Sequence, residues 1–364
     1  MYKRQAATRA ISSAVSAAEE MCGETVREVL VGVGGGQPAS HNQQLDVQVG
    51  NHEIGERDVR RLLSQVHLPA ETADRDLIHT LPIGYTVDGS AVVEPRGMYG
   101  ERLGGQIHLV TAATGAMRNL GICVKRAHLD IADRVVSAYA SGLASLVADE
   151  RNLGATLIDM GGGTTSIAVF YDGHLVHVDS IPIGGMHVTS DIARGLSTPI
   201  ADAERMKTLI GRARAKPNDE YDIIDVPLIG EQERTTPNHV PRSILVGIIR
   251  PRVEETFELV RSRLEASGVD RLAGGRAVLV GGASQLDGLG DVAADILKKK
   301  VRIGGPIRVA GLAESTGGPA YAACAGLLIH AAQQATNQPQ QAAQAAEPPV
   351  GRLGRIGSWI RENF

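Results

Sequence analysis

The segment ATLIDMGGGTTSIAVF, residues 155–170, admits few local structures. Its apolar run ends in Asp159, breaks at Gly161, Gly162 and Gly163, and resumes beyond Thr164 and Thr165. Two apolar runs parted by glycines read as neighbouring strands joined by a tight turn. No Gly-Lys-Ser/Thr follows, so this is not a P-loop. A strand rather than a helix comes next, so it is not a dinucleotide fingerprint either. Two readings stay open. The glycines can serve only a hairpin that needs positive φ. Alternatively, the turn aims successive backbone N–H groups at phosphate oxygens. On the second reading Thr164 and Thr165 add hydroxyl donors. Asp159 at the strand end then holds Mg²⁺ through water, because that ion keeps much of its hydration shell.

Composition removes several other classes. The chain has 364 residues, enough for two or three domains. Lys and Arg (37) do not exceed Asp and Glu (41), so there is no electrostatic footprint for nucleic acid. Aromatic residues, at 3%, are too few for a base-stacking platform. Cys22, Cys123 and Cys324 are far apart and form no C-x-x-C pair, which argues against a disulfide framework or a zinc site. His174 and His177 lie three apart in an expected strand and point to opposite faces, a poor metal pair. No run of 18 apolar residues exists, and no apolar segment follows the charged start MYKRQAATRA. The expectation is a cytoplasmic chain without a membrane span.

The pattern along the chain predicts a helix over 6–23, a strand entering a glycine turn at 27–36, and a helix over 56–66. An Asp-Gly turn between strands and a strand–helix unit follow, so residues 27–127 read as a small α+β module. A helix is expected at 130–150, then an antiparallel meander through the glycine motif and the Asp172-Gly173 turn. A charged, mostly helical region runs from about 188 to 268, interrupted by a loop at 216–243. Residues 276–297 read as strand, Gly281-Gly282 turn and helix, where backbone can approach a flat ligand. A strand–helix turn without a ligand is the alternative. In DAERMKTLIG, Glu204 and Lys207 share a helical face, as an exposed ion pair or as part of a site. VLVGVGGGQPAS, near the start, resembles the glycine motifs but has no helix signal behind it.

In this order and spacing, strand-Asp-GGG-TT-strand, the Glu-x-x-Lys helix and strand-Gly-Gly-helix resemble the actin, heat-shock chaperone and sugar-kinase superfamily. The resemblance implies an α/β, actin-like two-domain fold that clamps ATP and Mg²⁺. It implies that Asp159, Gly161–Gly163, Thr164 and Thr165 form the second phosphate motif. Glu204 and Lys207 would flank the ribose and adenine, with Gly281 and Gly282 beneath the adenosine. DRVVSAYASGL resembles the first connecting helix and would place Asp133, the one catalytic candidate, facing the metal and its water. GPAYAACAGL resembles the second connecting helix. SIPIGGMHVTSDIARGLSTPIADAERMKTLIG and IIRPRVEETFELVRSRL narrow the match: the chain is similar to the bacterial cell-division family FtsA.

That resemblance divides the chain into a remnant of the first actin-like domain at 1–26, an inserted α+β subdomain at 27–127, and the rest of the first domain at 128–150 and 311–332. The second domain covers 151–310, with its helical subdomain at about 188–268. The family normally opens with a D-x-G-[TS] phosphate motif ahead of the first helix. No such motif precedes Ala6, so the expectation is either a piece of a longer chain or a truncated first domain, with an open sheet edge. Residues 333–349, rich in Gln, Ala and Pro, read as a disordered linker. Such a linker reaches about 23 Å. In VGRLGRIGSWIRENF, Leu353, Ile356, Ile360 and Phe364 fall on one helical stripe, with Trp359 beside it and Arg352 and Arg355 on other faces. Fifteen residues make about 22 Å of helix, too short to cross a bilayer and suited to lying in an anionic interface; a partner-docking helix or a frayed tail is the alternative.

The family resemblance implies an adaptor with at most weak ATP hydrolysis. It would self-associate into filaments and hold the C-terminal tail of FtsZ at the cytoplasmic face of the inner membrane, at the division septum. Other division proteins would dock on 27–127. Arg242 and Arg252 fall where the family has basic residues near the FtsZ tail site, a basic face suited to an acidic peptide; an ordinary solvated helix face is the alternative. Two rivals share the fold: a small-molecule kinase or phosphatase, and an actin-like adaptor of pilus or secretion assembly.

Overall fold

The computed structural model describes residues 2–68, 72–230, 238–307, 309 and 311–345. The tail expected at 350–364 therefore lies outside the described residues. The architecture is built around a five-stranded sheet. Strands β7 (Ala155–Met160), β8 (Thr165–Tyr171) and β9 (His174–Ile181) form the antiparallel meander read from the sequence. Strands β12 (Arg276–Val280) and β13 (Lys300–Ile303) extend it in parallel beyond β7. Ala155, Leu157, Ile158, Ile167, Ala168 and Val169 are wholly buried, as expected for strands covered on both faces.

Two helical layers supply the cover. One face carries α6 (Gly185–Gly195), α7 (Ile200–Ile210), α8 (Arg242–Ala266) and α9 (Leu289–Leu297) over a core that includes Ile158, Ile167, Phe257 and Leu279. The other face packs on Leu157, Phe170, Val278 and Val280. There α4 (Ser137–Ser145) crosses α10 (Ala322–Ala345) so closely that a Cβ at Gly326 would overlap the Ala140 carbonyl. Small residues in both helices, the AYASGLA and AACAG runs, permit that approach. Between α7 and α8, β10 (Ile223–Val226) and β11 (Asn238–Pro241) form a separate antiparallel pair where the sequence suggests only a loop.

The module expected at 27–127 is a four-stranded antiparallel sheet, ordered β2 (Ala39–Glu53), β5 (Tyr99–Ala113), β3 (Arg75–Val87), β4 (Ser90–Val92). With it come α2 (Glu56–Ser64) and α3 (Thr114–Arg126), and α2 seats Val59 and Leu62 in its core. Helix α1 (Tyr2–Cys22) matches the first expected helix.

Three expectations are corrected. Residues 130–136 are strand β6 (Asp130–Val136), and helix α4 begins only at Ser137, followed by short α5 (Ala148–Leu153). The cause is remote: β6 pairs in parallel with β1 (Glu28–Val33), and β-branched Ile131, Val135 and Val136 suit that state. For the same reason β1 stands apart from the four-stranded sheet, with β6. Finally, α10 continues to Ala345 through most of the expected linker. Ala and Gln form helix readily without any apolar stripe, so the missing periodicity was a poor sign of disorder.

The four-stranded sheet is joined to the rest through buried histidines. His79 on β3 accepts a hydrogen bond from the Val136 N–H at 3.0 Å and meets the Tyr139 ring edge-on. His108 on β5 lies 2.9 Å from the Leu175 carbonyl on β9 and 2.9 Å from the Ser40 hydroxyl. Ser40 Oγ in turn accepts the Val178 N–H, which occupies a polar group on the free edge of β9. Burial is the main force lowering both imidazoles, to about 4; for His79 the neighbouring His330 adds to it. In the unfolded chain each titrates near ~6.5. Between those values the unfolded state binds more protons, so stability falls as pH drops from about 6.5 toward 4. Thermal denaturation at a series of pH values should show this slope, and it should flatten when His79→Gln and His108→Gln are combined. An unchanged slope in the double variant contradicts the assignment.

Candidate functional site: a glycine-lined cleft

Strands β7 and β12 run in parallel, with Asp159 beside Val280, and both chains turn at the same end of the sheet. After β12 the turn is forced: Gly281 has φ +86°, and a Cβ there would lie 2.5 Å from the Met160 carbonyl and 2.6 Å from Asp159 Oδ1. The turn after β7 is different. None of Gly161, Gly162 and Gly163 has positive φ, so the simple hairpin reading does not account for them. Added Cβ atoms at Gly163 and Gly282 meet nothing within 4 Å, and one at Gly162 meets Met186 Cγ at an ordinary 3.7 Å. The protein itself does not need glycine at these three positions, whereas close approach of something else to the backbone does.

The carbonyl side of the turn is already committed. The N–H groups of Gly185 and Met186, in the first turn of α6, donate to the carbonyls of Gly161 (2.9 Å) and Gly162 (2.8 Å). Gly184 makes this possible, because a Cβ there would come within 2.6 Å of the Gly161 carbonyl. The N–H groups of Gly162 and Gly163 have no partner among the described residues. A turn with its carbonyls tied down and two N–H groups without a partner among the described residues has the backbone arrangement that can receive an anion.

Helix α7 supplies the next wall. Lys207 Nζ lies 2.7 Å from Glu204 Oε2, 2.9 Å from Thr189 Oγ1 and 3.2 Å from the Gly185 carbonyl. Thr189 also donates to Glu204 at 2.5 Å. Partial burial opposes ionisation of Glu204, but the bonds from Lys207 and Thr189 outweigh it and hold the carboxyl below its ordinary range. The Glu-x-x-Lys pair is thus a fixed element with Lys207 anchored to the first turn of α6. A cavity of about 660 Å³ opens between these walls, lined by Gly161, Gly162, Gly185, Met186, Glu204, Lys207 and Gly282, among others.

A sequence model of the family described as "Cell division protein FtsA" matches residues 156–326, and one for the "SHS2 domain inserted in FTSA" matches 35–111. The protein named cell division protein FtsA of Agrobacterium fabrum is 45% identical over 360 residues, covering 97% of this chain and 81% of that relative. The chain belongs to the FtsA family. The Pseudomonas aeruginosa and Escherichia coli FtsA proteins are 34% and 30% identical, each over 99% of this chain and 87% of their own length. The solved PilM–PilN type IV pilus biogenesis complex is similar at TM-score 0.58 and 18% identity, covering 89% of this chain and 84% of that one, which shows a shared actin-like fold. The match to the inserted SHS2 domain coincides with strands β2 to β5.

In this FtsA-family chain the expected residues fall into three groups. Gly161, Gly162, Glu204, Lys207 and Gly282 line one cavity, with Gly163 and Gly281 in the same two turns. Asp159 stands behind them, one oxygen accepting from Ser141 at 2.8 Å; burial pushes its carboxyl up, against that bond. Thr164 and Thr165 depart from expectation. Their hydroxyls donate to the carbonyls of Gly34 (3.0 Å) and Ile183 (2.8 Å), so they fasten the turn instead of offering it donors.

Asp133, Arg242 and Arg252 each have partners within the chain. Asp133 lies on β6, where its carboxylate takes His330 at 3.2 Å and Gln334 at 2.8 Å on α10. Arg242 and Arg252 are each paired with acidic side chains. Arg242 lines the cavity and pairs with Asp222 at 2.5 Å, while Arg252 is held by Asp191 at 2.6 Å and Glu255 at 2.5 Å. Gly184, Gly185, Met186 and Thr189 were missed as site residues. The signal available was the Ile-Gly-Gly at the strand-to-helix junction.

Proposed function

We propose that this chain is a nucleotide-binding, actin-like adaptor of cell division that holds FtsZ at the membrane. The observation that carries the nucleotide reading is the turn at Gly162 and Gly163, whose N–H groups have no partner among the described residues, beside a cavity lined by Gly162, Lys207 and Gly282. Phosphates of ATP suit that turn, and the apolar and charged walls beyond Lys207 suit the nucleoside. Asp159 would hold Mg²⁺ through water, and the ion would offset the negative charge of the phosphates.

Family membership supports the adaptor role. Self-association, capture of the FtsZ C-terminal tail and docking of other division proteins on the inserted sheet are the partner readings that go with it. The stripe at 350–364, with Leu353, Ile356, Trp359, Ile360 and Phe364 flanked by Arg352 and Arg355, supports attachment to the anionic cytoplasmic face of the inner membrane at the septum.

Two measurements test this. Gly163→Val and Gly282→Val place side chains where the protein has room but the nucleotide does not. The expected result is an unchanged melting temperature with affinity for a fluorescent ATP analogue lowered at least about tenfold, roughly 1.4 kcal/mol. Unchanged affinity contradicts the site. Co-sedimentation with anionic vesicles should fall sharply on removal of 350–364 and on Ile360→Asp, whereas undiminished pelleting rejects the membrane attachment.

A further inference from the structure

One turn of α4 is held from two directions. Ser141 lies in it and is wholly buried. Just before it, the Ala140 carbonyl packs on Gly326 of α10, where a Cβ would overlap that oxygen. Just after it, Gly142 packs on the Phe170 ring of β8, where a Cβ would overlap the ring. Close contact on both sides leaves this turn no room to shift. The Ser141 hydroxyl is therefore a fixed point in the core.

That hydroxyl donates to Asp159 Oδ2 at 2.8 Å. A helical serine commonly donates to the carbonyl one turn earlier; this one reaches to the end of β7 instead. Asp159 Oδ1 has no donor among the described residues. It lies beside the Gly281 turn, where a Cβ would come within 2.6 Å of it. The Gly281 N–H is itself committed to the Pro319 carbonyl at 2.9 Å. Asp159 is not fully enclosed. One carboxylate oxygen is thus tied into the core and the other is left beside the turn that brings Gly282 to the cavity. Such a carboxylate, next to a phosphate-sized cleft, fits a water-mediated Mg²⁺. Ser145, one turn later on α4, gives the contrast. It is equally buried, and its hydroxyl has no partner among the described residues. Packing of a serine on this helix therefore does not require the bond that Ser141 makes.

We propose that Ser141 is a positioning residue for the nucleotide's metal: its hydroxyl sets the direction of the Asp159 carboxylate and so leaves Oδ1 to meet the hydration shell of Mg²⁺. The proposal rests on the reading of the cleft as a Mg-ATP site and adds the group that orients its carboxylate. The outer torsion of an aspartate is broad, so a carboxylate without a fixed partner takes many directions. Loss of the Ser141 hydroxyl frees Asp159 to turn, and the metal-dependent part of nucleotide binding weakens. Contacts to the backbone at Gly162 and Gly163 do not involve Ser141, so the metal-independent part stays.

The test is the affinity of the full chain for a fluorescent ATP analogue, in excess Mg²⁺ and in EDTA. The wild-type chain should bind more tightly with Mg²⁺. Ser141→Ala should lower that enhancement by about tenfold, the loss typical when a group supporting a metal ligand is removed, with affinity in EDTA unchanged. Mn²⁺ binding followed by EPR in the presence of the analogue should weaken in parallel. Ser145→Ala, the same truncation one turn later, should leave both readings at wild-type values. Ser141→Cys, close in shape and a weak donor, replaces Ser141→Ala if that variant loses its thermal transition. An unchanged enhancement in the Ser141 variant, an equal fall with Mg²⁺ and with EDTA, or the same loss in Ser145→Ala overturns the proposal. A wild-type chain that binds equally in Mg²⁺ and EDTA overturns the metal reading of Asp159 as well. A wild-type chain that does not bind the analogue overturns the nucleotide reading, and the proposal with it.

Discussion

Two backbone hydrogen bonds, from Gly185 and Met186 to the carbonyls of Gly161 and Gly162, fasten the turn after β7 to the start of α6. Each is worth about 1 kcal/mol, but their geometric consequence is larger. With the carbonyls turned toward α6, the N–H groups of Gly162, which lines the cleft, and of Gly163 have no partner among the described residues. Lys207 then bonds the Gly185 carbonyl, so the wall carried by α7 is referenced to the same point. Thr164 ties the turn to Gly34 and thereby to the chain entering the inserted sheet. Substituting Gly184 would force the turn and α6 apart and disturb all of these at once.

The same economy of polar contacts joins the inserted sheet to the body. Ser40 occupies Val178 on the edge of β9, and His108 spans from Ser40 to Leu175. His79 serves the Val136 N–H at the start of α4. All three are single side chains meeting backbone groups of another unit, and the histidines do so as neutral, buried rings. They add direction to an apolar contact in which Val110, Ile78 and Leu81 of the inserted sheet pack with Val136, Leu175 and Val178 of the body.

What could be read from the sequence was what local chemistry decides. Alternating apolar runs and glycine turns gave the β7–β9 meander, and the Gly-Gly after β12 marked the opposite side of the cleft. Resemblance to the FtsA family joined those pieces into one site. The misreadings share a remote cause. Residues 130–136 become strand because β1, a hundred residues earlier, pairs with them. Arg252 is held by Asp191, 61 residues away, a partner no local pattern reveals. Thr164 and Thr165 looked like phosphate donors because the carbonyls that claim their hydroxyls are set only by the fold.

The central claim is that the turn at Gly162 and Gly163 holds phosphate through its backbone. Amide resonances of these two residues and of Gly282, followed by NMR as Mg-ATP is added, address it directly. The account predicts large downfield shifts and slowed exchange at Gly162 and Gly163, with smaller changes at Gly282. Unmoved amides at all three, in a sample that binds the nucleotide, would contradict it.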